Sequence, residues 1–464
     1  MIYILLVVTL LFLIFNLVTS SFDFFAPGVL FALIGSACEI ICIVFQSAFA
    51  LQFHSCSLVA FTLGLAVMTA AGILCVRIQK RRERLVLKTA GMEKVASMPE
   101  EIPFSNVWYL ILALLQVGVI LAFVYYLRNL ALWWGEDTSL KSMINLYNNM
   151  TKFWHTDIEV PIPMFYRIFN PICEAAAYMA LYIGLNNFLV TKKINPLPLV
   201  NVLLLGILII LNGSRSPLFR VLTMAIFLYY IHGRRANPED PHPMRFLARI
   251  VIIIGIFAAV MLGIVNLMRI PSHHVEWVTY LFIYPGAPMS NFDLFFAGHP
   301  DAFFHGMSRC FGETTFSSLW SYLDKHGIVS YQPSYRLSVF AFSRNGIEIG
   351  NVYTTFASFV YDFGVFGIIP LMAILSLYYV FGYAHCIHPR TNGKKFDFGL
   401  FIYAYLFNDL CMLWFSNRFY ETIFNISFIK ILVFSWALDV VLIEHRITVG
   451  KKTISLPWLS KRTG

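Results

Sequence analysis

The sequence predicts an all-α fold, a polytopic bundle of about eleven transmembrane helices, within a range of about ten to twelve, with one large outer loop. Three observations predict it. Hydrophobic residues are 58% of the 464 and charged residues only 13%, with a mean hydropathy of +0.70; soluble domains are roughly 45–50% apolar and about 25% charged. The apolar runs are unbroken over helix-spanning lengths, unlike the alternating segments of about ten residues that build a transmembrane barrel. Lys and Arg gather in short segments beside those runs, where they set membrane orientation. Soluble enzymes, DNA-binding modules, disordered scaffolds and disulfide-stapled secreted domains are thereby excluded. The net charge of +9 reads as topology, not as a nucleic-acid surface.

With about 20 apolar residues per crossing, spans fall at 2–19, 27–46, 57–76, 106–127, 166–190, 197–211, 216–232, 248–268, 351–383, 396–415 and 422–443. The first has no Lys or Arg ahead of it and no small-residue cleavage site behind it, so it reads as a retained span. The ninth is long enough to include an interfacial segment leading into the membrane. Arg77, Lys80, Arg81, Arg82, Arg84, Lys88 and Lys94 lie between the third and fourth spans; Lys192 and Lys193 follow the fifth; Arg234, Arg235, Arg245 and Arg249 follow the seventh; Arg390, Lys394 and Lys395 follow the ninth; Arg446, Lys451, Lys452, Lys461 and Arg462 occupy the tail. These are 21 of the 34 basic residues and all fall on one side, which is the cytoplasm. The N-terminus is then outside, the C-terminus inside and the number of spans odd.

The chain accordingly divides into N-terminal transmembrane helices (1–127), an outer loop (128–165), central helices (166–268), a large outer loop (269–350), and C-terminal helices with a basic tail (351–464). The large loop is rich in Phe, Tyr and Trp, which argues for folded, membrane-apposed structure over a solvated linker. The eight cysteines include no CxxC pair, and only Cys56 and Cys310 could face outward, so no disulfide framework or zinc spacing exists.

Four groups of residues could carry chemistry. Asn212-Gly213-Ser214-Arg215-Ser216-Pro217 breaks two apolar runs at the outer face and sets a guanidinium among small donors at a helix start, an arrangement suited to an anion such as phosphate. The alternative is a tight turn whose arginine reaches lipid headgroups. The large loop adds Arg269, Arg309, Arg336 and Arg344, against the positive-inside bias; a guanidinium fork binds a diphosphate bidentately. Pairing with the loop's own Glu276, Asp293, Asp301, Glu313, Asp324 and Glu348 is the competing explanation for some of them. Histidines 273, 274, 299, 305 and 326 include His305, which shares a helical face with Asp301, but no metal-binding signature is present; general-base use of one His or carboxylate fits better. Among ionisable residues within spans, Asp362 in Tyr361-Asp362-Phe363-Gly364 has the strongest functional context, with a structural pair to an arginine such as Arg220 as the alternative.

The ordered set of Gly213-Ser214-Arg215-Ser216, Arg269, Tyr284–Phe292, Gly312-Glu313-Thr314-Thr315-Phe316, Gly350–Phe356 and Tyr361–Gly364 with Gly367 resembles the oligosaccharide repeat unit polymerases, the Wzy family of bacterial O-antigen and capsule assembly. The similarity runs from about Leu197 to Tyr383, and the N-terminal spans match in hydropathy alone. The resemblance implies an inner-membrane glycosyltransferase at the periplasmic face. It would move the growing glycan from an undecaprenyl-diphosphate carrier to a newly flipped repeat unit, inverting the anomeric carbon, without cofactor, metal or nucleotide sugar. By position Arg215 and Arg269, then Arg336 and Arg344, are the expected diphosphate-binding residues. No single residue can be named as general base; His305, Glu313 and Asp362 are the catalytic candidates. Expected partners are the lipid-linked oligosaccharide, the bilayer and a chain-length regulator of the same pathway. An O-antigen ligase shares this architecture and arginine logic, and a lipid-linked oligosaccharide flippase is a further alternative; flippases do not need so long an outer loop. A membrane-bound O-acyltransferase is disfavoured, because no intramembrane His with an acyl-donor tunnel signature is present.

Overall fold

The computed structural model describes residues 1–49, 51–89, 100–152, 162–214, 216–236, 249, 252, 277–331, 341–346, 348–387, 395–444, 446–449 and 452–455. The protein is an all-α membrane protein. Among the described residues, seven helices are long and apolar enough to cross a membrane: α1 (Ile2–Thr19), α2 (Pro27–Val44), the first part of α4 (Ser55–Thr89), α5 (Asn106–Trp134), α7 (Met164–Thr191), α14 (Ile368–Ile387) with the 3-10 turn before it, and α17 (Ile426–Leu438) with its π-helical extension to Glu444. Two further apolar helices, α8 (Pro196–Leu211) and α15 (Phe398–Cys411), are shorter. The eighth span expected from sequence, 248–268, lies outside the described residues but for Arg249 and Ile252.

Hydrocarbon offers the backbone no partners, so each span closes its own hydrogen bonds as a helix. Local signals then set the ends. Ser105 accepts the Val107 N–H at the start of α5, which stops at a left-handed Gly135. Asn195 accepts the Leu197 N–H at the start of α8, where Pro196 has no N–H that needs an acceptor. Leu11, Leu114 and Leu121 stay exposed on α1 and α5, as lipid-facing side chains must.

Both segments expected from sequence to be outer loops contain folded helices. In the first, α5 runs on to Trp134 and α6 (Leu140–Lys152) buries Met143, Ile144, Tyr147 and Met150. The second contains α10 (Trp277–Gly298), α11 (Pro300–His305), α12 (Ser317–Lys325) and a hairpin of β1 (Ala341–Phe342) with β2 (Glu348–Gly350). The long ninth span resolves into α13 (Thr355–Phe363), a left-handed Gly364, a 3-10 turn and α14. A second hairpin, β3 (Arg446–Val449) with β4 (Lys452–Ser455), lies in the tail. The remaining helices are α3 (Gln46–Phe49), α9 (Ser216–Ala236) and α16 (Arg418–Ile423).

The chain forms two compact units, and the topological segments cut across them. One comprises residues 1–95, 273–388 and 406–426; the other comprises 96–272, 389–405 and 427–464. In the first, an aromatic core joins Phe31, Phe61, Phe356 and Trp414, with Phe61 and Phe31 rings each 5.1 Å from Trp414. The Trp414 indole N–H donates to the Phe31 carbonyl at 2.8 Å, so its one polar atom is satisfied in the apolar interior. Intramembrane polar groups pair likewise: Thr9 donates to Glu39 at 2.7 Å, and Asn16 to Thr69 at 2.8 Å.

The second unit is built on α5, α7, α8 and α9. Gln116 donates to the carbonyls of Cys173 and Asn201. Arg220 donates to the Tyr405 hydroxyl at 3.1 Å and stands 4.5 Å over the same ring. It is also within electrostatic reach of Glu174. Arg220 thus has neighbours of its own, and Asp362 is held by other groups, described next.

Candidate functional site

Asp362 is the last residue but one of α13, before the apolar span that begins at Val365. Its carboxylate accepts the Thr314 N–H at 3.0 and 3.1 Å and the Thr315 N–H at 2.6 Å. The two threonine hydroxyls donate to the Ser358 carbonyl, one turn back, at 3.2 and 3.3 Å. At the other end of the loop, the Met307 N–H donates to the Tyr361 carbonyl at 2.6 Å and the Ser308 hydroxyl to the Asp362 carbonyl at 3.0 Å. Segment 307–315 is therefore hung by both ends from one stretch of α13.

Within that loop Glu313 is buried and accepts the Arg309 N–H at 2.9 Å, while the Tyr331 hydroxyl donates to the Glu313 carbonyl at 2.9 Å. His305 is exposed at the end of α11, directly before Gly306. The structure thus gathers the three catalytic candidates around a single loop. Asp301, on the same short helix, is exposed. Among the described residues no three His, Cys, Asp or Glu side chains group as metal ligands.

Two glycines let the segments cross. Gly306 has φ 75° and ψ 176°, and Gly364 has φ 68° and ψ −178°, a region essentially closed to other residues. A Cβ on Gly364 would lie 2.2 Å from the Phe304 carbonyl oxygen, and one on Gly306 would lie 2.8 Å from that of Asp362. The backbones of 304–306 and 361–364 meet with no room for a side chain between them.

Four of the motif segments read from the sequence meet in pairs. Gly312–Phe316 is bound to Tyr361–Gly364 through Asp362. Asn291, in Tyr284–Phe292, donates to the carbonyls of Gly350 at 3.3 Å and Val352 at 2.9 Å, in Gly350–Phe356. Asn417, which sequence reasoning passed over, joins the pairs: its amide donates to the Thr315 carbonyl at 3.0 Å and accepts the Thr355 hydroxyl at 3.4 Å. Arg418 follows it and forms an ion pair with Glu421 at 3.4 Å. The available signal was the polar triplet Ser416-Asn417-Arg418 between two apolar runs, a break of the same kind as Asn212–Pro217.

Of the expected anion-binding residues, the structure describes Arg344. Arg344 is exposed in the β1–β2 turn and makes no hydrogen bond or ion pair among the described residues. Arg215, Arg269 and Arg336 lie outside the described residues. The expected break around Arg215 is present: α8 stops at Leu211 and α9 starts at Ser216, with Asn212 donating to the Tyr166 hydroxyl and Gly213 left-handed against Asn148. Asp293, offered above as an arginine partner, is instead fully buried against His54 and Ser57. All eight cysteines are free thiols.

Burial pushes the Asp362 carboxyl above its ordinary value, against the opposing pull of the threonine donors. A carboxyl raised on folding contributes stability that is full below its ordinary 3.8 and is lost as pH rises through the raised value. The thermal midpoint of the wild type relative to Asp362→Asn is therefore expected to fall as pH rises from about 4 toward neutrality, measured in detergent by intrinsic fluorescence. A wild-type midpoint that instead rises relative to Asp362→Asn over this range would show that the donors outweigh burial.

No protein-family model matches the chain, and no curated protein or solved structure matches it.

Proposed function

We propose that the protein polymerises undecaprenyl-diphosphate-linked oligosaccharide repeat units at the periplasmic face of the bacterial inner membrane, in O-antigen or capsular polysaccharide synthesis. The observation that carries this reading is the pairwise meeting of the four motif segments, with Asp362 held by Thr314 and Thr315 and Asn291 by Gly350 and Val352. In this reading about eleven spans place the N-terminus in the periplasm and the C-terminus in the cytoplasm. Arg215, Arg269, Arg336 and Arg344 neutralise the lipid diphosphate as it leaves, the acceptor sugar attacks the anomeric carbon from the opposite face, and no metal is needed. A chain-length regulator is the expected protein partner.

The test is a strain lacking the gene. Polymerase loss leaves surface polysaccharide as one capped repeat; ligase loss leaves none; restored long chains on complementation support the proposal. Labelling checks orientation. Ser214→Cys and Ser318→Cys are expected to react with an impermeant thiol reagent from the periplasm, and cysteines beside Arg82, Arg234 and Lys394 only from the cytoplasm. Labelling of Ser214→Cys from the cytoplasm alone would overturn both orientation and mechanism.

A further inference from the structure

We propose that His54, oriented by Asp293, is the general base that deprotonates the acceptor sugar hydroxyl; this rests on the glycosyl-transfer reading above and names a catalytic residue for it. His54 closes the short link between α2, which ends at Val44, and α4, which begins at Ser55, so it lies where two apolar helices share an end. Asp293, on α10, is 0% exposed and accepts three hydrogen bonds: the His54 N–H at 2.8 Å, the Ser57 hydroxyl at 2.6 Å, and the His54 ring, whose Nδ1 is 2.9 Å from Oδ2.

A carboxylate only accepts, so in the neutral ring the proton facing it is on Nδ1 and the lone pair is on Nε2. The ring is 36% exposed, and Nε2 has no partner among the described residues. No Arg or Lys among the described residues pairs with Asp293. A proton arriving at Nε2 would therefore turn a buried, lone carboxylate into one half of an ion pair, which stabilises the imidazolium as it forms. Capping of α4 explains the bonds from the His54 N–H and Ser57; it does not call for the ring.

The surroundings suit a sugar and a diphosphate. Two residues before Asp293, Asn291 holds the Gly350 and Val352 carbonyls at the end of the hairpin whose turn presents Arg344. Beside Arg344, Asn345 donates to the Ser47 carbonyl at 2.7 Å. An open cleft of about 600 Å³, lined by Ile43, Val44, Gln46, Ser47, Leu51 and Gln52, runs along the segment leading into His54, and side-chain amides there can bond sugar hydroxyls. In the step, the acceptor hydroxyl gives its proton to Nε2 and its oxygen bonds to the anomeric carbon of the donor. The bond from that carbon to the diphosphate oxygen breaks, its electron pair leaves with the lipid diphosphate, and the imidazolium returns its proton to solvent.

The test uses the full chain in lipid nanodiscs and, as probe, the lipid-linked saccharide fraction extracted from the strain lacking the gene, with extension read by mass spectrometry. His54→Gln is expected to slow extension by about 100- to 10,000-fold. Added imidazole should partly restore His54→Ala, which it would not do for a packing role. Asp293→Asn keeps an acceptor for the helix start but turns an N–H toward Nδ1, which moves the ring proton to Nε2; roughly 100-fold or greater loss is expected. Wild-type extension with His54→Gln within about threefold of it, or His54→Ala that folds and ignores imidazole, overturns the base and leaves the polymerase reading intact. A wild type that extends nothing overturns both.

Discussion

Alanine at Arg215 or at Arg269 is expected to slow chain extension by roughly 30- to 1000-fold with the protein still present in the membrane, equivalent to about 2–4 kcal/mol of barrier. The magnitude follows from where charge grows. In the proposed reaction, negative charge builds on a diphosphate at a membrane face as the bond to the anomeric carbon breaks, and each guanidinium would supply charge-assisted hydrogen bonds that strengthen on the way to the transition state. Lysine keeps the charge but loses the planar fork, so Arg215→Lys and Arg269→Lys should recover only part of the rate. Activity should survive chelation by EDTA. Arg82→Ala, on the side assigned to the cytoplasm, is the comparison, with abundance checked by immunoblot. Well-expressed Arg215→Ala and Arg269→Ala supporting normal chain length would make these arginines lipid anchors and end the diphosphate clamp. Loss of activity on chelation would instead end the metal-free mechanism and turn attention to His299, Asp301 and His305.

What the sequence made legible follows the strength of its physical signals. Unbroken apolar runs close their backbone hydrogen bonds in hydrocarbon as helices, so α1 and α2 lie within two residues of their expected limits, while α5 starts where expected and runs seven residues past Leu127 to Trp134. The break at Asn212–Pro217 was legible because Gly and Pro punctuate apolar runs unmistakably. Side-chain partners across the chain were not. Asp293 looked like an arginine partner by its place in a basic loop, yet its partners come from residues 54–57, more than 230 positions earlier; no local pattern encodes that pairing. His54 escaped notice because a single histidine ahead of an apolar helix has no periodicity or spacing to mark it. Asp362 was singled out for its neighbours Tyr361 and Gly364, and the structure gives those neighbours a physical basis: the glycine is where another backbone crosses.

That crossing makes large stability effects expected at its two glycines. Gly364→Ala combines two costs. A side chain at φ 68° and ψ −178° costs of order 1–3 kcal/mol in backbone strain. Its Cβ would also lie 2.2 Å from the Phe304 carbonyl oxygen and 2.6 Å from the carbonyl carbon, and backbone cannot swing aside as the end of a flexible side chain can. Segment 304–306 must lift from α13, which strains the Met307 and Ser308 bonds to it and the grip of Asp362 on Thr314 and Thr315. Gly306→Ala is expected to do the same less severely, since its Cβ would stand 2.8 Å from the Asp362 carbonyl oxygen. Gly135→Ala separates the two costs: φ there is 69°, yet nothing lies within 4 Å of the added methyl, so it bears only the left-handed penalty of about 1–2 kcal/mol. Thermal midpoints in detergent should rank Gly364→Ala below Gly306→Ala and both below Gly135→Ala. The double variant at 306 and 364 should fall well short of the sum of its parts, because either change alone opens the same crossing. Chain extension should fall with the midpoint for the 306 and 364 variants and hold for Gly135→Ala. A Gly364→Ala protein as stable as Gly135→Ala would mean that α11 and α13 do not touch here, and would detach His305 and Glu313 from Asp362.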